Sequence, residues 1–553
     1  MPQISIQTAT GETAQYHCPA GTNLYDFLAE HHLLDAPCGG AGTCGKCKIR
    51  MTASTFIVLP QERAFFTEEE LAAGWRLACL HQVQEDAALL LPPPESVSEI
   101  SCKGFLRSFT AQPRIQKKLT PKGDTEVWAD GQLLQTETGD TTASLYGIAV
   151  DIGTTTVVAS LVDLNTGEES VSMSCLNGQK AFGQDVISRI QYAAAHENGT
   201  LILQRAILKD LCRLFEGIYA KAGVSAADIY EVTVGANTTM IHLLAGINPT
   251  AMGRAPYLPA FQGALQLRGQ EDLQLPVQSC CQVYCIPAVS AFVGGDITAG
   301  VLACGIHQLK ENCLFLDIGT NGEMVLAKDG RLCACSCAAG PALEGMNISC
   351  GVRAAKGAIE DVQLLGAAGE VKVRLSVIGG APPKGLSGSG LLAAIAELRR
   401  VGILQKSGRL QDHPLVETVD GKKRFVLDAE HGIYLTQQDI RQVQLAKGAI
   451  LSGIQAMLAA HEMAASEIDR VLVAGQFGAH LKAESLTGAG LIPAALEDVI
   501  TYVGNTSKSG AYLCLLAEPE RETAAEIVEE IHYIELSSLD GYDTLFVKAM
   551  NFA

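Results

Sequence analysis

Four cysteines in this chain are spaced for iron. Cys38, Cys44 and Cys47 read C-x5-C-x2-C, and Cys79 follows within Arg76-Leu-Ala-Cys-Leu80. Three close thiolates and one distant one suit a [2Fe–2S] cluster, because a single loop wraps three corners and a neighbouring strand supplies the fourth. Gly39, Gly40, Gly42 and Gly45 interleave with the ligands. They let the loop curl tightly and aim backbone N–H groups at the sulfides, which stabilises the added electron. The alternatives are a zinc knot or simple thiols, but zinc sites usually carry two C-x2-C pairs and only one is present.

A second constellation is written twice. Gly147-Ile-Ala-Val-Asp-Ile-Gly-Thr-Thr-Thr156 and Cys313-Leu-Phe-Leu-Asp-Ile-Gly-Thr-Asn-Gly-Glu323 each read as a buried strand ending in Asp-Ile-Gly-Thr. Asp151 and Asp317 can hold Mg²⁺ or its waters. Gly153, Gly319 and Gly322 let phosphate oxygens reach the backbone, while Thr154, Thr155, Thr156, Thr320 and Asn321 offer donors. A third apolar strand, Arg470-Val-Leu-Val-Ala-Gly-Gln-Phe-Gly478, ends in a turn whose Gly475 and Gly478 would border an adenosine. Ordinary glycine turns are the plain alternative. Taken together, the three segments look like the two phosphate motifs and the adenosine motif of the actin, Hsp70 and sugar-kinase superfamily, with Gln476 where a glycine is usual. Asp185, Asp296 and Glu323 are candidates for positioning an attacking water, each competing with a plain capping or surface role.

These residues need elements to position them. At roughly 150 residues per domain, 553 residues make about three or four units. Residues 3 to 8 read as a strand, Thr10-Gly11-Glu12 as a turn and Ala14 to Cys18 as the returning strand. A helix is expected from about Thr22, and Trp75 to Val83 reads as a short final strand before the stiff run Leu91-Pro-Pro-Pro94. That places a ferredoxin-like domain at 1–94. Residues 95–145 are polar and weakly periodic, a linker or reduced middle domain with at most a small hairpin. From Tyr146 the two similar segments set up two facing lobes, about 146–311 and 312–553, with a nucleotide between them. The predicted fold is thus α/β and multidomain: a β-grasp [2Fe–2S] ferredoxin followed by a two-lobed, RNase H-like ATPase.

Composition narrows the partners. Forty-one Lys plus Arg against sixty Asp plus Glu give a net charge of −19, which disfavours nucleic acid and anionic lipid. No signal sequence or bilayer span is read, so the chain is expected to be cytoplasmic, with its remaining cysteines as thiols. Cys333, Cys335 and Cys337 alternate as on one strand face, and Cys280, Cys281 and Cys285 sit in an apolar stretch; both groups read as core. His242 reads as a satisfied core histidine, Arg521 to Glu530 as a solvated helix face, and Leu386-Ser-Gly-Ser-Gly390 as either a helix N-cap or a loop whose Ser389 approaches a phosphate or corrinoid face.

A ferredoxin joined to an ATP cleft suggests ATP-driven electron transfer, since phosphoryl transfer to a metabolite needs no cluster. The cysteine spacing resembles the adrenodoxin-like branch of ferredoxins. The whole chain resembles the reductive activators of corrinoid proteins, on Cys38-Gly-Gly-Ala-Gly-Thr-Cys-Gly-Lys-Cys47, Gly74-Trp-Arg-Leu-Ala-Cys79, Asp151-Ile-Gly-Thr-Thr-Thr156, Gly183-Gln-Asp-Val-Ile-Ser-Arg-Ile190, Gly235-Ala-Asn-Thr-Thr-Met240, Ala338-Ala-Gly-Pro-Ala-Leu-Glu-Gly345 and Gly388-Ser-Gly390. The resemblance implies that an electron from a cellular donor, such as a ferredoxin or flavin reductase, passes through the cluster to Co(II) of a corrinoid protein in a methyltransferase system, with ATP required. It also implies a departure here, a middle domain reduced to about fifty residues, which would leave the ferredoxin on a flexible linker. A homodimer is left open. Rival readings are an activator of a radical dehydratase, a redox-sensing Hsp70-like binding protein, and a kinase with an appended ferredoxin.

Overall fold

The computed structural model describes residues 1–7, 13–31, 33–34, 42, 45, 47–53, 57–91, 104–366, 371–475 and 481–552. They fall into two compact units: Met1–Ser96 with Asn177–Ile207, and Val97–Leu176 with Leu208–Ala553.

In the first unit, strands β1 (Gln3–Gln7), β2 (Thr13–His17), β3 (Lys48–Ala53), β4 (Trp75–Leu77) and β5 (Ala87–Leu90) form one sheet in the order β2-β1-β5-β3-β4. The alternation of Ile4 and Ile6 drives one face of β1 into a core with Leu24, Phe27, Leu28, Ile49 and Leu89. The expected hairpin of the first two strands is present, although its turn lies outside the described residues. The expected helix runs Leu24–Glu30, capped by Asn23, whose side chain accepts from Tyr25 and Asp26 N–H. The segment Trp75 to Val83 is not the final strand. It leaves β4 after Leu77 into a 3-10 turn over Ala78–Leu80, and the last strand is β5, parallel to β1. The segment Asn177–Ile207, far away in sequence, supplies this unit with the helix Val186–Ala195.

The second unit opens with β6 (Ile115–Leu119), β7 (Thr125–Ala129) and β8 (Gln132–Glu137), an antiparallel sheet where a linker with at most a hairpin was expected. Its apolar face, Ile115, Val127 and Ala129, joins the same core as Tyr230 and Tyr284. Its polar edge is tied down by Arg114, which meets buried Glu231 at 3.3 Å, and by the ion pair of Lys117 with Glu137 at 2.8 Å.

The two lobes repeat one design. The first sheet contains β9 (Tyr146–Ile152), β10 (Thr156–Asp163), β11 (Glu169–Leu176), β12 (Ile229–Ala236), β13 (Leu265–Arg268) and β14 (Gln282–Cys285), in the order β11-β10-β9-β12-β14-β13. The second lobe begins with β15 (Cys313–Ile318), β16 (Gly322–Lys328) and β17 (Arg331–Cys337), and adds two smaller sheets: β18 (Ala358–Leu365), β19 (Lys372–Val377) and β20 (Gly385–Leu386), then β21 (Val416–Val419), β22 (Lys422–Asp428) and β23 (Ile433–Thr436). Its main sheet is completed by β24 (Arg470–Ala474), β25 (Ile500–Gly504) and β26 (His532–Tyr533), in the order β25-β24-β15-β16-β17-β26. In each main sheet an antiparallel three-strand meander is followed by two parallel strands on the side of its first strand.

Two short apolar helices, Gly295–Cys304 and Thr506–Leu516, fill the core shared by both sheets. They approach so closely that a Cβ on Gly510 would lie 2.4 Å from the Ala299 carbonyl oxygen. The helix Gln437–Ala460 is long and apolar enough to cross a membrane, but it is mostly buried in the second lobe, where Ile440, Val443, Ile450 and Ile454 join the core. The stretch Arg521 to Glu530 is not a wholly solvated face. Arg521 is buried and donates to Glu231 Oε1 at 3.0 Å, and Ala524 and Ile527 pack beneath it. Cys333, Cys335 and Cys337 are core side chains, as are Cys281 and Cys285. His242 is satisfied too: Nδ1–H donates to Thr238 O at 2.8 Å, Ala260 N–H donates to Nε2 at 3.0 Å, and the ring stacks on Phe261.

The helix approach gives the first test. Gly510→Val must push two backbones apart, so we expect a loss of at least ~1–3 kcal/mol, read as a lower melting temperature, whereas Gly263→Ala, with open space around it and no left-handed backbone, should leave the melting temperature nearly unchanged.

Candidate functional site

In the first unit two of the four predicted ligands are described. Cys47 and Cys79 are buried and their sulfurs lie 3.1 Å apart. Their backbones are tied as well, since Ala78 N–H donates to the Cys47 carbonyl at 2.9 Å. Asn23 Nδ2 donates to the Cys79 carbonyl at 2.9 Å. The carboxylate of Glu62, fully buried, accepts from Leu59 N–H, from Leu77 N–H and from the His81 ring, so it fixes both ends of the turn that carries Cys79. Neither Asn23 nor Glu62 was singled out from sequence, because nothing local marks a long-range buried partner. Gly45 is left-handed, and any side chain there would strike the Phe65 ring at 2.3 Å, so the loop must be glycine at this point to pass under that ring. Cys38 and Cys44 lie outside the described residues. Two buried thiols converging beside such a loop fit a [2Fe–2S] cluster.

The second unit brings the predicted acids together. Asp151 ends β9, and its Oδ2 accepts from Asn505 Nδ2 at 2.8 Å. Asp317 sits at the equivalent place in β15, paired with Glu323 across the β15–β16 hairpin. Asp296 stands in the first turn of the helix Gly295–Cys304, where its carboxylate accepts from Ile297 N–H at 2.9 Å. Burial holds all four high, and neighbouring acids add to it at Asp296, Asp317 and Glu323. Asp296 is pushed up to about 7 by desolvation and then by Asp317 and Asp151. Asp317 is pushed up to about 7 by desolvation and by Asp151. Glu323 is raised well above its ordinary value by desolvation and by Asp296 and Asp317. Asp151 is raised by desolvation, moderated by Asn505, Ser507 and Lys508. Among the described residues no three acids, histidines or cysteines are spaced to hold a metal directly. A Mg²⁺ here fits as one held largely through its waters and nucleotide phosphates.

The loops around these acids are closed turns. Gly153 N–H donates to Thr156 O and Gly319 N–H to Asn321 O, each at 2.9 Å. Thr154 Oγ1 accepts from Asn237 Nδ2 at 3.2 Å. Thr155 and Thr320, on different lobes, both donate to Glu344, at 3.3 and 2.6 Å. Gly475 follows β24 with φ of +93°, and a Cβ there would lie 2.8 Å from Asp317 Oδ1, so glycine is what lets that turn close over the acid. Gly478 and Gln476 lie outside the described residues. Two candidates are found at helix starts. Asp185 belongs to the first unit, where it caps the helix Val186–Ala195 by accepting from Ser188 N–H at 2.7 Å. Ser389 is buried in the first turn of the helix Gly388–Arg400, 2.9 Å from the capping Ser387, which is the N-cap alternative. Asn505 was missed, and Asn237 and Glu344 were given no role although they stand in the motifs Gly235–Met240 and Ala338–Gly345. Asn505 and Asn237 each precede a helix as N-cap residues, a signal read for structure and not for the cleft.

Duplicated lobes thus bring acids and hydroxyls of both phosphate-loop candidates together, in one chain with a unit that holds two converging thiols. Comparison with known proteins agrees. Residues 7–84 match the 2Fe-2S iron-sulfur cluster binding domain, 146–309 the RACo middle region, and 311–553 the C-terminal domain of RACo, the ASKHA domain. The corrinoid activation enzyme RamQ of Eubacterium limosum is 35% identical over 410 residues, covering 71% of this chain and 68% of that one. The [Co(II) methylated amine-specific corrinoid protein] reductase of Methanosarcina barkeri is 25% identical over 422 residues, covering 70% and 73%. A solved structure of a reductive activator for corrinoid, iron-sulfur protein is 31% identical, with a TM-score of 0.72 over 100% of this chain and 98% of that one. The chain belongs to the family of reductive activators of corrinoid proteins. The family's middle region falls at 146–309, the span read as the first ATPase lobe, so it is not reduced to residues 95–145.

The raised acids predict a pH dependence. Between about pH 4 and 7 the folded protein keeps protons on Asp296 and Asp317 that the unfolded chain has released, so their contribution to stability is lost as pH rises toward 7. Melting temperature without nucleotide should fall from pH 5.5 to 7.5. Asp317→Asn should flatten that slope and raise the melting temperature at pH 8 by relieving Asp296 and Glu323; a slope equal to wild type would disprove the assignment.

Proposed function

We propose that this protein performs ATP-dependent reductive activation of a corrinoid protein, returning Co(II) to the methyl-accepting Co(I) state with one electron delivered through its [2Fe–2S] cluster. The observation that carries this reading is the union, in one chain, of converging buried thiols at Cys47 and Cys79 with a cleft of facing acids. Membership of the activator family supports the substrate. When bound, the cluster supplies a one-electron relay, with Cys38, Cys44, Cys47 and Cys79 as its ligands. The chain's own residues do the rest: Glu62 and Asn23 hold the turn of Cys79 in place. In the cleft, Asp151 and Asp317 organise Mg²⁺, Thr154, Thr155, Thr156 and Thr320 with the backbone of Gly153 and Gly319–Gly322 receive phosphates, and Gly475 and Gly478 border the adenosine. Asp296 and Glu323, whose carboxyl groups burial and neighbouring acids hold above their ordinary range, position the attacking water.

Energy coupling is needed because clusters of this kind lie near about −400 mV and each ~59 mV uphill costs about 1.4 kcal/mol for one electron. Closing the lobes on nucleotide can offset that cost by changing the docked acceptor's surroundings. The electron donor is a low-potential cellular ferredoxin or flavin reductase, and the setting is the cytoplasm. An activator of a radical dehydratase is the second reading, but this chain carries its own ferredoxin domain.

The test is anaerobic. Protein with its cluster reduced is mixed with Co(II) corrinoid proteins of several methyltransferase systems, with and without Mg-ATP, and the visible spectrum is followed for Co(I). We expect Co(I) only with ATP, and at least about a hundredfold slower formation in Cys79→Ala and Asp317→Ala. If no corrinoid protein responds while the cluster reduces normally and ATP turns over, the acceptor is another iron–sulfur enzyme.

A further inference from the structure

One carboxylate bridges the two phosphate loops. Glu344 Oε1 accepts from Thr320 Oγ1 at 2.6 Å, and Glu344 Oε2 accepts from Thr155 Oγ1 at 3.3 Å. Thr155 lies in the β9–β10 turn of the first lobe and Thr320 in the β15–β16 turn of the second, so this side chain ties the lobes at the mouth of the cleft. It does not ride on a loose loop. Ala342 and Leu343, in the same turn, are buried in the second lobe, and Gly345 is pinned so closely that a Cβ would meet Val352 O at 2.4 Å.

The hydroxyls that Glu344 occupies are those the proposed function assigns to nucleotide phosphates. A carboxylate and a phosphate are both anions that accept from the same donors, and they repel one another, so the two cannot share Thr155 and Thr320. We propose that Glu344 is an internal stand-in for a nucleotide phosphate: it latches the two phosphate loops when no nucleotide is bound and gives up both hydroxyls when a phosphate arrives. This rests on the nucleotide-cleft reading and adds a competitor to it. Because the turn is anchored in the core, release is a rotation of the Glu344 side chain, and it frees the lobes to reset around the nucleotide. Glu344 is a positioning residue, acting through the two threonines.

The prediction has an unusual sign for a residue in a binding cleft. Glu344→Gln, close in shape but uncharged, should bind a non-hydrolysable ATP analogue about tenfold more tightly than the whole wild-type protein, the size of one charge-assisted hydrogen bond. Its affinity for adenosine, which has no phosphate to compete, should be unchanged. Titration calorimetry on both proteins reads both numbers. Should the Gln variant not fold, Glu344→Asp keeps the charge but is one methylene short of bridging both hydroxyls, and it too should bind the analogue more tightly. Analogue affinity that is unchanged or weaker overturns the latch, as does an equal gain for adenosine. Because binding and not cobalt reduction is measured, failure of every corrinoid protein to respond would leave this result standing, and failure of the latch would leave the activator reading intact.

Discussion

The cleft depends on how closely two helices can lie together. Gly295–Cys304 and Thr506–Leu516 meet where Gly510 faces the backbone of Ala299, and where a Cβ on Gly300 would strike the Phe315 ring at 2.6 Å. No larger residue fits at these points without moving backbone. Both helices start at the nucleotide site: one presents Asp296 in its first turn, and the other is capped by Asn505, which holds Asp151. The close approach therefore does more than fill the core. It brings two helix N-termini, with their positive dipole ends, to the same set of acids.

Those N-termini are needed because the cleft is electrostatically adverse. Asp151 raises Asp317 and Asp296, and those two raise Glu323, while Lys508, the lysine that acts on Asp151, is itself engaged with Glu169 at 2.7 Å. Like charges this close resist closure of the lobes, and a triphosphate alone would add to the repulsion. A divalent cation bound with the nucleotide would reverse the sign and turn a repulsive gap into an attractive one. On the function proposed above, the complex of metal and nucleotide, not either component, would favour closure of the lobes.

Much of this was legible because it is local. The cluster ligands announce themselves by thiol spacing, and the lobes by a strand, an acid, a glycine and a hydroxyl repeated in tandem. What sequence could not supply is what depends on distant partners. Glu62 looks like any surface glutamate in Pro60-Gln-Glu-Arg63 until Leu77 and His81 are brought onto it. Arg521 sits in a run of charges that reads as solvated, yet the fold places it on buried Glu231. Residues 104–145 are polar enough to pass for linker, because a three-stranded sheet needs only one apolar face and Ile115, Val127 and Ala129 are a sparse signal. The ferredoxin's last strand was misplaced for the opposite reason: Trp75 to Val83 is rich in apolar residues, but the turn that presents Cys79 breaks the strand after Leu77.

The order of the chain bears on how ATP can act on an electron. In the phosphate hairpin Thr156 begins β10, and its partner across the ladder is Leu176, the last residue of β11. The next residue, Asn177, starts the segment that belongs to the ferredoxin's unit, and the chain does not return to the ATPase unit until Leu208. The entry is a firm one: Asn177 is buried, and its side chain caps the turn Gly178–Ala181 by accepting from Gln179 N–H at 3.0 Å. The ferredoxin domain is therefore not simply a leader carried on a tether at residues 95–145. It shares its unit with a segment that grows out of the strand paired to the phosphate loop. The covalent link between the two units at this point is the single peptide bond from Leu176 to Asn177, and Leu176 is the ladder partner of Thr156.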